Sequence, residues 1–247
     1  MKRDDDVAAR FIKHEPCPSC GSRDNLGRYS DGAGYCFGCG YVERSAVSGF
    51  VSERTVEDVD DEEDRVVMPT TATAMLPQEA VQWLAKYDIS VPEAIRLGYR
   101  WEPELYQLLF PLYDEDNKLV CIQARNFSEK LKKRAKYYNI GDKSTHHTIF
   151  GKGAGDLLVM TEDIVSSAKI GRQCCAYPLL GTSITKEKLA LLACDYKELI
   201  VWLDEDKWKE ACAIADAAKL LGVNAFARFT PLDPKEYSDA AIARLLE

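Results

Sequence analysis

The chain has 247 residues, 46% of them apolar, enough for one large domain or two small ones with a real core. Its 32 Lys and Arg against 40 Asp and Glu give a formal charge of −8, which excludes a histone-like polycation. No run of about 18 apolar residues marks a membrane span. Met1-Lys2-Arg3-Asp4-Asp5-Asp6 has no apolar stretch behind it, so no secretory signal is expected and the expected compartment is the reducing cytoplasm. Nine cysteines in such a compartment are metal ligands or plain thiols, not a disulfide framework.

Residues 1–44 hold Cys17-x2-Cys20 and, fifteen residues on, Cys36-x2-Cys39. Each pair forms a tight knuckle with two thiolates, and two knuckles complete a tetrahedral zinc site. Four sulfurs close the coordination, so the zinc is structural. Gly21, Gly38 and Gly40 flank the pairs, as knuckle turns require. With few aliphatics, this segment needs the metal to fold. His14 reads as an ordinary surface residue and not a fifth ligand. Tyr29, Asp31, Tyr35, Phe37 and Tyr41 are candidates to stack on, or hydrogen-bond to, single-stranded bases. Tyr29 and Tyr41 fit better as packing for the ribbon itself.

Residues 45–70 carry 8 acidic and 2 basic groups, with the run Glu57-Asp58-Val59-Asp60-Asp61-Glu62-Glu63-Asp64. Such a run repels itself and buries little, so a flexible acidic linker is expected, reaching roughly 25–30 Å. Ala80, Trp83, Leu84 and Tyr87 predict a helix within 76–98, with a second starting at Pro92 and ending near Gly98. Tyr106–Phe110 and Leu119–Gln123 flank the turn residues Asp114-Glu115-Asp116-Asn117 and predict a β-hairpin over 105–126.

Residues 117–152 invert the charge, with 9 basic groups against 2 acidic. Arg125, Lys130, Lys132, Lys133, Arg134, Lys136, Lys143 and Lys152 are suited to triphosphates or a nucleic-acid backbone. Tyr137 and Tyr138 add stacking faces.

From 156 onward, apolar runs (Leu157–Met160, Ala176–Leu180, Leu199–Leu203, Ala225–Phe229) alternate with helical patterns ending near Gly171, Cys194, Gly222 and Leu246. Four alternations predict an α/β fold with a parallel sheet and helices on both faces. The domain boundaries follow: a small β zinc ribbon over 1–44, the linker over 45–70, a mixed subdomain with a basic loop over 71–152, and the parallel sheet over 153–247. Cys121, Cys174, Cys175, Cys194 and Cys212 lie in apolar runs without ligand spacing and read as small core residues.

Three predicted strands end in acids: Glu162-Asp163, Asp204-Glu205-Asp206, and Asp233 after Pro231-Leu232. In such sheets the working groups lie beyond the carboxyl ends of the strands. Asp204 and Asp206, at i and i+2 on an extended strand end, point the same way and can share one hard cation, Mg²⁺ or Mn²⁺. Glu162, emerging from a strand of the same sheet edge, can handle a proton or help hold the ion. Acids at strand-to-helix junctions also cap helices. Three acidic junctions in one sheet, one of them Asp-x-Asp, favour a metal site. A basic stretch beside an acidic metal site is what nucleotidyl transfer requires.

Together these pieces, in this order over essentially the whole chain, resemble the DnaG-type primases, most closely the primase part of the phage primase–helicases. The segment Pro16-Cys17-Pro18-Ser19-Cys20-Gly21 with Ser30-Asp31-Gly32-Ala33-Gly34-Tyr35-Cys36-Phe37-Gly38-Cys39-Gly40 resembles the family's template-reading zinc motif. Arg125 and Lys136-Tyr137-Tyr138-Asn139 are similar to its basic motifs, and residues 156–239 to its TOPRIM module. The resemblance implies an enzyme, a nucleotidyltransferase joining ribonucleoside triphosphates into RNA primers on single-stranded DNA during phage-type DNA replication. It implies structural Zn²⁺ on Cys17, Cys20, Cys36 and Cys39, and catalytic Mg²⁺ or Mn²⁺ at Glu162, Asp204 and Asp206, with Asp233 shaping the acidic site. Arg125, Lys136, Lys152, Asp31 and Tyr35 are implied to hold nucleotide or template. The family's Glu-Gly-x-x-Asp reads Glu162-Asp163-Ile164-Val165-Ser166 here, and Leu232 stands where a Lys is common. The chain has no G-x-x-x-x-G-K-[ST] motor motif, so the helicase is expected on a separate chain, as is the DNA polymerase. The alternative is a non-catalytic recombination mediator of the RecR type, which also pairs a zinc site with a TOPRIM fold.

Overall fold

A computed structural model describes residues 11–30, 32–39, 41–43, 65–128, 136–151 and 155–247. Asp31, Lys130, Lys132, Lys133, Arg134, Lys152 and the linker residues 45–64 lie outside the described residues. The chain divides into two units, 1–64 and 65–247.

In the first unit, β1 (Phe11–Glu15), β2 (Leu26–Tyr29), β3 (Gly34–Cys36) and β4 (Val42–Glu43) form an antiparallel meander in sequence order. Its buried interior is Leu26 with Cys17, Cys36 and Cys39, and Tyr41 packs against them. The Arg28 guanidinium ties the outer strands together, 2.7 Å from Glu15 of β1 and 2.6 Å from Glu43 of β4. So little apolar burial cannot offset chain entropy without a staple.

The second unit begins with α1 (Gln78–Ala85) and α2 (Val91–Arg96). The antiparallel sheet β5 (Arg100–Glu102), β6 (Gln107–Tyr113), β7 (Leu119–Asn126) and β8 (Tyr137–Gly141) follows. The predicted hairpin is β6–β7. Asp114 closes its turn by accepting from the Asp116 and Lys118 amides, and Asn117 takes the left-handed conformation. One face of this sheet is covered by Val66 and Met68, which pack on Leu109, Ile122 and Ala124. Residues 65–70 therefore belong to the folded core and not to the expected linker, because Val66 and Met68 supply apolar surface that the acidic run before them lacks.

The C-terminal sheet has order β10-β9-β11-β12 and is parallel throughout. Its elements in chain order are β9 (Leu157–Thr161), α3 (Ile164–Ile170), β10 (Cys175–Pro178), α4 (Lys186–Asp195), β11 (Glu198–Val201), α5 (Trp208–Leu220), β12 (Asn224–Ala227) and α6 (Asp239–Leu246). Alternate strand residues serve opposite cores. Val159, Ala176, Ile200 and Trp202 meet Ile164, Val165 and Ala168 of α3 and Ile242 of α6. Leu158, Met160, Leu199 and Val201 meet Leu189 and Leu192 of α4 and Ala211, Ile214 and Ala218 of α5. Helices thus cover both faces, which is why the strands read as unbroken apolar runs. The first core also takes in Trp83, Leu84, Tyr99 and Phe110, so the antiparallel subdomain is continuous with the α3 face.

Two expectations change in detail. The last helical pattern splits into a 3-10 turn over Pro234–Glu236 and α6, whose start Ser238 caps. Cys194 is exposed on α4 and Cys174 and Cys212 are half-buried, so only Cys121 and Cys175 of the five are core residues. No helix among the described residues is long and apolar enough to cross a membrane.

Candidate active site and zinc centre

The four ribbon thiols converge. Cys17 Sγ lies 3.6 Å from Cys39 Sγ and Cys20 Sγ 3.7 Å from Cys36 Sγ, and all four lie within 4.8 Å of one another. Tetrahedral zinc with Zn–S of about 2.3 Å requires sulfurs about 3.8 Å apart, so the donor set fits that ion. The knuckles are set by backbone bonds. The Gly21 amide donates to Cys17 O, the Cys17 amide to Ser22 O and the Cys36 amide to Tyr41 O, with Gly21 left-handed at φ +70°. His14 stands apart from the sulfurs in an exposed aromatic row. Tyr35 meets Phe37 at 5.1 Å, Phe37 meets His14 at 6.1 Å, and His14 meets Phe11 at 4.8 Å. Phe11 was not singled out in the sequence; it meets His14 on its own strand and Tyr29 at 6.1 Å across the antiparallel β1–β2 pairing.

At the carboxyl edge of the parallel sheet, the neighbouring strands β9 and β11 run into Glu162 and Asp204. Asp163 is a helix cap: its Oδ1 accepts from the Val165 and Ser166 amides at 2.9 and 3.0 Å. Asp204 precedes a 3-10 turn over Glu205–Lys207 but makes no capping bond with its side chain. Among the described residues, Glu162 Oε2 and Asp204 Oδ1 are buried without a hydrogen-bond partner. Burial first, then the charges of Asp204 and Asp163, push the Glu162 carboxyl up to about 7. Burial also dominates at Asp204, and with Asp233 and Asp163 nearby its carboxyl reaches about 6 although Lys235 pulls it down. Two half-buried carboxylates, each with a buried, unpartnered oxygen and raised affinity for protons, form a site with unmet demand for positive charge.

Asp206 does not join them. The expected i, i+2 alignment requires an extended chain, and the backbone leaves that conformation at Glu205. The Asp206 side chain is 72% exposed and paired with Lys207. Asp233 does arrive at the site, reached through a side chain that sequence reasoning missed. Lys235 Nζ lies 2.8 Å from Asp233, 3.0 Å from Asp163 and 3.8 Å from Asp204. Burial opposes the charge on Lys235, but the three carboxylates hold its ammonium well above the usual lysine range. The only signal in the sequence was Lys235 two residues after an acid, which carries no information about Asp163 on another strand.

The loop carrying Asp233 and Lys235 is fixed from below. Trp202 Nε1 donates to Thr230 Oγ1 at 2.7 Å, and Thr230 donates on to Leu232 O. Fully buried Lys169 of α3 donates to Lys235 O at 3.2 Å and Tyr237 O at 2.6 Å, and pairs with Asp88.

Basic groups face this edge from the antiparallel sheet. The Arg125 guanidinium is clasped by three rings, 4.2 Å over Trp83, 5.1 Å over Phe127 and 5.1 Å over Tyr137. Its Nε and Nη1 are buried without partners among the described residues. Lys136 is close enough to Arg125, Lys235, Asp163 and Asp233 to feel all four; burial and the two cations lower its pKa. Lys143, expected with the phosphate-binding cations, is instead buried and donates to Leu180 O at 3.0 Å, tying β8's exit to the loop after β10. Tyr138 likewise spends its hydroxyl on Gln107.

The sequence matches no family model and no curated protein. Solved structures do match in fold. The zinc-binding and RNA polymerase domains of the Aquifex aeolicus primase align over 100% of this chain and 80% of that one, at 14% identity and TM-score 0.58. The RNA polymerase domain of Mycobacterium tuberculosis primase DnaG aligns over 70% and 77%, at 20% identity and TM-score 0.56. A DnaG primase catalytic domain bound to single-stranded DNA aligns over 70% and 73%, at 17% identity and TM-score 0.52. The primase fragment of the bacteriophage T7 primase-helicase aligns over 96% of this chain and 98% of that one, at 17% identity and TM-score 0.48. The chain therefore has the fold of a DnaG-type primase, zinc ribbon and RNA polymerase domain together.

Proposed function

We propose that this chain is a DNA primase that joins ribonucleoside triphosphates on a single-stranded DNA template, each 3′-hydroxyl displacing pyrophosphate from the next nucleotide. The observation that carries the reading is the pair of buried, unpartnered oxygens, Glu162 Oε2 and Asp204 Oδ1. They lie at the carboxyl edge of a parallel sheet, in a fold shared with primase RNA polymerase domains. Glu162 and Asp204 would hold Mg²⁺ or Mn²⁺, with Asp233 close by and Asp206 outside the set. Bound there, the ion supplies charge stabilisation for the phosphoryl group being transferred. Arg125 and Lys136 bind triphosphate or template phosphates; the ring cage holds the Arg125 fork in place before ligand arrives. Lys152 is assigned the same role from the sequence. On the ribbon, the exposed row Phe11, His14, Phe37 and Tyr35 offers a stacking platform for template bases, with Asp31 beside it in the chain. The protein would work beside a replicative helicase and hand its primers to a DNA polymerase.

The test is synthesis of labelled oligoribonucleotides on single-stranded DNA in the presence and absence of Mg²⁺. The expected result is metal-dependent product from the unaltered protein. Glu162→Gln should bind template with unchanged affinity and lose product at least about 100-fold. Tight template binding with no product from the unaltered protein under any divalent ion overturns the reading in favour of a RecR-like mediator.

A further inference from the structure

The acidic edge brings four carboxylates together, those of Glu162, Asp163, Asp204 and Asp233, and one cation already lies among them. Lys235 Nζ reaches Asp233, Asp163 and Asp204 at 2.8, 3.0 and 3.8 Å. An ammonium has three N–H donors and no preferred coordination polyhedron; Asp233 and Asp163 stand at hydrogen-bond distance from it, and Asp204 stands within ion-pair reach. Two of those acids give an oxygen to the lysine at hydrogen-bond distance. Asp163 spends Oδ1 on the start of α3 and Oδ2 on Lys235 and the Ser166 hydroxyl. Asp233 gives Oδ2 to Lys235. Asp204 turns Oδ2 toward the lysine and keeps Oδ1 unpartnered, and Glu162 keeps Oε2 unpartnered. The site is thus divided, with a lysine on one side of Asp204 and a vacant pair of oxygens on the other. Another lysine of this edge, Lys207, is paired with Asp206.

We propose that Lys235 is the resident second cation of this site, so that its carboxylates take one divalent ion where an acid cluster of this size would hold two. The inference rests on the reading of Glu162 and Asp204 as ligands of a divalent ion. Two-ion sites clamp both the attacking and the leaving oxygen. In this chain a fixed ammonium supplies the second charge without coordinating anything. Lys235 is a positioning residue for Asp204 and Asp233, and it sets the metal stoichiometry.

The experiment is direct Mn²⁺ binding to the zinc-loaded full chain without nucleotide, counting free Mn²⁺ by electron paramagnetic resonance. The unaltered protein should bind one Mn²⁺, and Asp204→Asn none. Lys235→Gln should bind a second Mn²⁺ or bind the first at least tenfold more tightly. Lys235→Arg should behave as the unaltered protein. Because Lys235→Gln leaves carboxylates facing one another and threatens folding, Asp163→Asn/Lys235→Gln is titrated too. It keeps the original net charge and should show the same gain. Equal stoichiometry and affinities within twofold for the unaltered protein and both Gln variants overturn the proposal and leave the metal site standing. Binding only in the Gln variants shows that the lysine fills the whole site and overturns the one-ion assignment. Absence of Mn²⁺ binding from every form overturns the metal reading and this proposal together.

Discussion

His146 is fully buried, with its ring stacked on Tyr177 at 4.6 Å and its Nδ1 accepting from the Thr148 amide. Burial first, then the charge of Lys188, pushes the imidazole down to about 3. A histidine whose folded pKa lies below its unfolded value of about 6.5 takes up its proton on unfolding, so stability is lost as pH falls between 6.5 and 3. The loss is about 1.4 kcal/mol per pH unit once below the unfolded pKa. Urea unfolding at pH 7 and pH 5 should therefore show the unaltered protein losing about 2 kcal/mol more than His146→Phe over that interval. Parallel pH profiles would remove the argument. At this scale the sequence was uneven. Cys17, Cys20, Cys36 and Cys39 were legible because knuckle spacing is local chemistry. Glu162, Asp204 and Asp233 were legible as strand-end acids. Lys235 and the Trp83 ring over Arg125 were not, since Asp163 and Trp83 come from distant parts of the chain. The alignment expected of Asp206 is absent because i, i+2 convergence presupposes an extended chain, and a 3-10 turn begins one residue earlier.

Among elements, the clearest device is α3, whose two ends do different work. Asp163 caps its start and binds Lys235 across the site. Near its end Lys169 holds the carbonyls of Lys235 and Tyr237, while Arg172, just beyond, grips Glu93 of α2 with two bonds at 2.9 and 2.7 Å and Asp239 of α6. Removing this buried lysine leaves the two carbonyls without their donor, while the exposed Asp88 carboxylate turns to water. Lys169→Met should cost about 2–4 kcal/mol in urea unfolding. It should also raise the hydrogen-exchange rates of amides 235–237 well beyond those of β9; unchanged exchange there would mean that the loop is held by other contacts. The elements themselves were readable because strands buried on both faces need unbroken apolar runs, as in Leu199–Val201. The edge between linker and core was less readable. The acidic run masks the fact that Val66 and Met68, just after it, are the cover of a sheet.

Over the whole molecule, the two units differ in what holds them. Residues 65–247 have two large cores on either side of a sheet. The first unit has a cluster of four buried residues, three of them cysteines. Stripping the metal with a strong chelator should release one zinc per chain and abolish exchange protection in β2 and β3, while β9 and β11 keep theirs. Template affinity should fall in the same preparation, since the aromatic row on the ribbon is held together by the same strands. Retained protection at Leu26 and Cys36 after complete zinc release would show that the ribbon folds without its staple.

The alternation along β9 has a further bearing on how such a protein can change over generations. Leu158 and Met160 are committed to one core and Val159 to the other, so nearly every position of the central strand is bound by packing on one side or the other. Variation that alters the chemistry is confined to the short segments past the strand tips, where side chains such as Glu162 and Asp204 belong to neither interior. A lineage could thus remodel its reactive edge repeatedly while the architecture beneath stays the same.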